Sequence, residues 1–205
     1  MIRMNWKTVL AAAALCAVQA FQGAAAQLPP EKVYSTGDRL ERPMVMTPFT
    51  EFSSARKMPE LKLQTLDGAP VDLTQYRGKV VFLNIWATWC APCLREMPEL
   101  IKLQQKYKDG KIAIVGVSID EDPAKLPAFL KKYKLSDFET VADPKQECDK
   151  VMPLTTVPTN YILDGDGNLI GYLPGYLPWD DADIAPFLQK LVDKYAAGAA
   201  GFAGK

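Results

Sequence analysis

The chain of 205 residues contains no histidine. That absence removes most zinc and haem ligation schemes and any histidine-based general base. It also lacks a charge excess of either sign, with 24 Lys+Arg against 24 Asp+Glu, so nothing in its net charge draws it to nucleic acid or anionic lipid. No internal repeat is visible. An apolar run of the roughly 20 residues needed to span a bilayer comfortably is missing too. The longest alanine-rich apolar stretch covers only 9–18. Cysteine is scarce, at positions 16, 90, 93 and 148. What remains is ordinary globular composition, 48% hydrophobic and 23% charged, in a length that holds one domain with appendages.

The ends read differently from the middle. In residues 1–26, Arg3 and Lys7 precede the apolar stretch, and Ala24-Ala25-Ala26 follows it with small residues before Gln27. This is the pattern of an export signal, removed with Cys16 or retained as an anchor. Without Arg3 and Lys7 the rest carries 22 basic against 24 acidic residues. Residues 27–57 hold Pro29, Pro30, Pro43 and Pro48 without sustained periodicity and read as an irregular arm. Residues 196–205, rich in Ala and Gly, read as a mobile tail.

Between them, strand-like and helix-like segments alternate. Residues 61–65 alternate with period two and turn at Asp67-Gly68 toward 71–73, an N-terminal β-hairpin. An apolar strand is expected over 79–86, a helix over 90–107, a β-branched strand over 112–119 and a helix over 123–133. A short helix over 145–151 precedes a hairpin of 159–163 with 169–173, and a helix over 180–195 closes the pattern. The order implies an α/β fold, a central mixed sheet flanked by helices, with two apolar strands joined through the first helix as a crossover unit. Asp164-Gly165-Asp166-Gly167-Asn168 resembles the start of a calcium loop, but Leu169 stands where glycine is needed, so a hairpin turn is the reading.

The chemistry concentrates at Trp89-Cys90-Ala91-Pro92-Cys93, where the apolar strand meets the helix. A disulfide closing so small a loop removes little unfolded-chain entropy and makes a poor staple. Reversible redox chemistry suits it better. The unsatisfied N–H groups and partial positive charge of a helix start favour the thiolate of Cys90. Pro92 costs nothing where the helix offers no acceptor. Cys93, one turn on, is the natural resolving thiol. Cys148 has no evident partner and reads as a packed core cysteine. Trp179, Tyr172 and Tyr176 suit a partner surface or the core equally.

With these residues the sequence resembles the thioredoxin superfamily, and in particular its TlpA/ResA-like branch of exported, membrane-associated thiol–disulfide oxidoreductases. Asn84 stands six residues before Cys90, where thioredoxin has an aspartate that helps with the proton of the second cysteine. An amide cannot take that proton, whereas Glu96, one turn beyond Cys93, can; the bland reading is an exposed glutamate favoured by the helix dipole. Pro98 lies at the offset of the helix-kinking proline of such folds.

The resemblance implies a thioredoxin-like domain over 58–195, with the arm and tail outside it. It implies that Pro158, in Thr156-Val157-Pro158-Thr159, is cis and faces the cysteines, although the residues alone read as a strand-start proline. Val157 would then offer its backbone to a substrate chain, with Trp89 and Pro92 beside it. The implied partners are protein disulfide substrates and a membrane thiol-relay electron donor, with peripheral membrane association, in the periplasm. No cofactor or metal is required. The implied activity is reduction, for cytochrome c maturation or copper-site assembly. A disulfide oxidase or isomerase and a Cu(I) carrier would use the same cysteine pair.

Overall fold

Seven consecutive buried residues, Val80–Trp86, form strand β3 near the middle of the sheet. A strand reads as unbroken apolar sequence only when both faces are covered, and here they are. In the computed structural model, which describes residues 31–152 and 154–202, Val80, Phe82 and Trp86 enter one core while Val81, Leu83 and Ile85 enter another. The segment read as an export signal, including Cys16, lies outside the described residues, as do 27–30 of the arm and 203–205 of the tail.

The first core is covered by three helices: α1 (Ala91–Tyr107), α2 (Leu126–Lys132) and α3 (Ile184–Tyr195). α1 presents Cys93, Glu96, Met97, Leu100, Leu103 and Gln104 inward; α3 contributes Ile184, Phe187, Leu188, Leu191 and Tyr195. The second core lies under irregular chain around Leu61, Leu63 and Val71 and under the short helical turn Glu147–Lys150, with Cys148 fully buried in it. Burial pushes the Cys148 thiol well up, which keeps it an unreactive core group as expected.

The remaining strands are β1 (Lys32–Ser35), β2 (Thr50–Arg56), β4 (Ile112–Ser118), β5 (Thr140–Ala142), β6 (Thr159–Leu163) and β7 (Leu169–Pro174). They form one mixed sheet in the order β1-β2-β7-β6-β3-β4-β5. β3, β4 and β5 are parallel, linked through α1 and α2; every other pairing is antiparallel. Because β3 runs parallel to β4 and β5, their carboxyl ends share one pole of the sheet, where chain leaves the strands and ligands are usually met.

Two expectations are corrected. Residues 27–57 are not irregular throughout: β1 and β2 lie within them and extend the sheet beyond β7. Pro43 and Pro48 lie between these strands; β1 pairs with β2, and β2 pairs with β7, more than a hundred residues away. Residues 198–202 are packed as well. Phe202 stacks on Tyr34 at 4.5 Å, and Asp166 accepts a hydrogen bond from the Ala199 N–H. Gly165 permits this seating, since a Cβ there would fall 1.9 Å from the Ala196 carbonyl oxygen. The 61–73 hairpin is present as a short turn, with the Val71 N–H donating to the Leu63 carbonyl at 3.0 Å and the Thr65 N–H to the Ala69 carbonyl at 2.7 Å, while Gln64 bridges both Pro70 and Ala142.

A buried carboxylate ties the N-terminal strands to α3. Glu51 is 3% exposed, 2.6 Å from the Lys194 ammonium, and accepts hydrogen bonds from the Tyr195 hydroxyl and the Leu40 N–H. Removing it leaves a cation and two donors without their partner. Glu51→Ala is expected to cost about 3 kcal/mol, read as a lower urea midpoint with an unchanged slope.

Candidate active site

The chain leaves β3 at the pole just described and is fixed within two residues. Asp120, beyond β4, accepts from the Thr88 N–H at 3.0 Å and from its hydroxyl at 2.6 Å, and is itself held by the Ser118 hydroxyl at 2.7 Å. The Trp86 indole N–H bonds the Thr140 hydroxyl at 2.9 Å. The turn carrying the cysteines is thus anchored to β4 and β5 before the helix starts.

Cys90 is the cap of α1. Its backbone is extended, and its sulfur accepts from the Cys93 N–H at 3.2 Å, the place usually taken by a Ser or Asp oxygen. Pro92 lies within the first two helical positions, where no intrahelical acceptor is lost. Cys90 and Cys93 form a disulfide, with Cα atoms 5.3 Å apart. Cys90 is 3% exposed and Cys93 not at all, so an incoming thiolate can reach only Cys90. Trp89 beside it is 69% exposed. Once the pair is reduced, the first-turn amide and the positive helix end favour negative charge on the Cys90 sulfur.

One turn further, Glu96 is completely buried, so it is not the exposed first-turn glutamate of the bland reading. Its oxygens accept from Asn84 Nδ2 at 2.9 Å, Trp179 Nε1 at 3.2 Å and the Leu177 N–H at 3.4 Å. Burial raises its pKa to about 7 against the pull of these donors. Asn84 also donates to Asn160 Oδ1 at 3.1 Å. The two amides are directly paired on β3 and β6, and Asn84 Oδ1 and Asn160 Nδ2 are left without partners. The spare Asn84 oxygen has a chemical use: turning the amide lets it donate to a carboxylate or accept from a carboxylic acid. A proton can therefore come and go on Glu96 without stranding the group.

The Val157–Pro158 bond is cis. Thr159 pairs with Ile85, which places Val157 and Pro158 at the cysteine pole. β6 begins only at Thr159, so the Val157 backbone lies off its ladder. The Pro158 carbonyl accepts from the Gly175 N–H at 2.8 Å. The segment after Gly175 is clasped to α1, with Leu177 N–H and the Trp179 indole on Glu96 and the Trp179 N–H on Glu99 at 2.7 Å.

The fold thus gathers Trp89, Cys90, Pro92, Cys93, Glu96, Val157 and Pro158 at one pole. Sequence reasoning missed Asp120, Glu99 and Asn160, and left Trp179 undecided between surface and core. A lone amide inside each of two apolar strands was the available signal for the Asn84–Asn160 pair. Among the described residues there is no group of acids, cysteines and histidines able to hold a metal ion. Asp164 instead organises the hairpin turn, accepting from the Asp166 and Asn168 N–H groups.

Comparison with known proteins gives the same picture. The profile of the redoxin family matches residues 53–188. The thiol-disulfide oxidoreductase ResA of Bacillus cereus (strain ATCC 10987 / NRS 248) is 35% identical over 130 residues, 60% of this chain and 75% of the relative. The thioredoxin-like protein YneN of Bacillus subtilis is 39% identical over 115 residues, 55% of this chain and 66% of the relative. Among solved structures, one described as the thiol:disulfide interchange protein DsbE of Chlorobium tepidum aligns with a TM-score of 0.59 at 27% identity, covering 67% of this chain and 96% of the other. The fold is thioredoxin-like.

Proposed function

This chain belongs to the redoxin family and is a thiol–disulfide oxidoreductase, and on that premise we propose that it works outside the cytoplasm as a reductant of protein disulfides. The observation that carries the reading is the Cys90 sulfur at the tip of α1, 3.2 Å from the Cys93 N–H. The Cys90 thiolate attacks one sulfur of a substrate disulfide, and the other leaves as a thiolate. Cys93 then gives its proton to Glu96 and attacks Cys90, which closes the protein disulfide and releases the second substrate thiolate. Two electrons pass to the substrate. A dithiol donor embedded in the membrane would return them to Cys90–Cys93. Trp89, Pro92 and Val157 would hold the substrate chain against Pro158.

Export rests on the composition of residues 1–26. No helix among the described residues is long and apolar enough to cross a membrane. The reducing direction rests on the likeness to ResA-type proteins, and the fitting recipients are cysteines awaiting haem attachment in cytochromes c or copper loading.

Titration of the pair against glutathione buffers tests the direction. A reductant is expected near the −270 mV of thioredoxin; a value above about −180 mV would place the protein among isomerases and oxidases. Reduction of insulin by the pre-reduced protein checks the activity itself. Tight Cu(I) binding without insulin reduction would favour a copper carrier.

A further inference from the structure

We propose that Arg95, set over the Tyr176 ring at the cysteine pole, selects protein disulfides that carry a carboxylate side chain beside the attacked cysteine. The inference rests on the oxidoreductase reading above and concerns which substrates that site prefers. Arg95 is exposed on α1, one turn after Pro92 and on the same helical face, so it borders the turn that holds the disulfide. Its guanidinium lies 5.1 Å from the centre of the Tyr176 ring. Tyr176 is 40% exposed and follows Gly175, whose N–H binds the Pro158 carbonyl. The pair therefore lies at the cysteine pole, tied through the Gly175–Pro158 hydrogen bond to the cis proline, with exposed Trp89 on the turn beside Cys90.

The charge of Arg95 is left uncompensated by construction. Glu99, four residues on, is its natural helical partner. Glu99 is instead turned to the Trp179 N–H at 2.7 Å, and Glu96 is buried on the same backbone segment. Among the described residues no ion pair engages Arg95. With its guanidinium over the ring and no ion pair made, Arg95 keeps N–H groups for bidentate binding of a carboxylate. An extended polypeptide is the fitting occupant, since Val157 offers backbone outside the β6 ladder and the Gly175–Pro158 hydrogen bond ties the Tyr176 segment to that turn.

The test uses pre-reduced protein and two cystine peptides identical except for Glu or Gln next to the cystine, with glutathione disulfide as a third substrate. The Glu peptide is expected to react about three- to tenfold faster at low salt, with the gap closing at high salt. Arg95→Gln is expected to bring the two peptides to equal rates. Lys32→Gln, which removes the same charge on edge strand β1, is expected to keep the gap. Equal rates in the unaltered protein, or a gap that survives Arg95→Gln, overturns the proposal. A loss with glutathione disulfide as large as with the Glu peptide overturns the choice of a polypeptide. If even the Gln peptide is not reduced, the redox reading falls and this inference falls with it.

Discussion

Replacing Cys93 by serine is expected to turn the protein into a trap that holds its substrates covalently. The Cys90 thiolate would still open a substrate disulfide, because its helix-tip environment comes from backbone N–H groups and not from the Cys93 sulfur. The second step would fail. Cys93 sits in disulfide contact with Cys90, so its thiolate attacks at an effective concentration far above that of any free thiol. Losing it should prolong the mixed disulfide by a factor on the order of 10³ or more. Mass spectrometry of the variant under non-reducing conditions would identify the captured proteins. Cys90→Ser should capture nothing, since Cys93 has no exposed surface. A Cys90→Ser variant that still formed adducts through Cys93 would reverse the assignment of the two sulfurs.

Glu96→Gln is expected to change stability and turnover in opposite directions above neutral pH. The folded-state pKa of Glu96, about 7, lies above the ordinary value of 4.5, so the folded protein holds a proton that the unfolded chain releases more readily. The stability this proton provides is fully present below pH 4.5 and drains away as pH rises toward 7. The whole drop is about 3 kcal/mol. Glutamine cannot ionise, so the oxidised variant should gain on the parent by roughly that amount between pH 4.5 and 8 in urea unfolding. Its amide nitrogen can be received by the spare Asn84 oxygen after that side chain turns. Turnover should suffer instead, because the base that takes the Cys93 proton is gone. A loss of about 10²-fold is expected, together with the inflection near pH 7 in the rate profile. Parallel stability curves for parent and variant would show that Glu96 does not titrate in this range, and an unaltered rate profile would take it out of the proton path.

The two variants differ in how far their reasoning could go without a fold. The cysteine step depends on residues i to i+3 at a helix start, and that geometry is local. Cys90, Pro92 and Cys93 therefore stand in the structure as their spacing implied. The carboxylate step depends on Asn84, Leu177 and Trp179, the last 83 residues from Glu96. No periodicity announces such a meeting. The same distinction explains residues 31–57, whose strands exist only by pairing with each other and with β7. β5 is similar: three residues, too short to show a pattern, recognisable only beside β4. By contrast β3, β4 and α1 were legible, since each is long enough for burial to leave its signature on consecutive residues.

By itself the amino-acid order determined the nature of the chemistry: two thiols three residues apart at a helix tip, an unbroken apolar strand to deliver them, and no histidine to suggest another mechanism. Tertiary structure decided how that chemistry is governed. It buried Glu96 among three donors and raised its pKa, left Cys90 but not Cys93 with a sliver of exposed surface, and held Glu99 on the Trp179 N–H. The reason is one of range. Backbone dipoles and helix spacing act within a turn, whereas desolvation and hydrogen-bond partnership depend on which distant segments the closed sheet brings together.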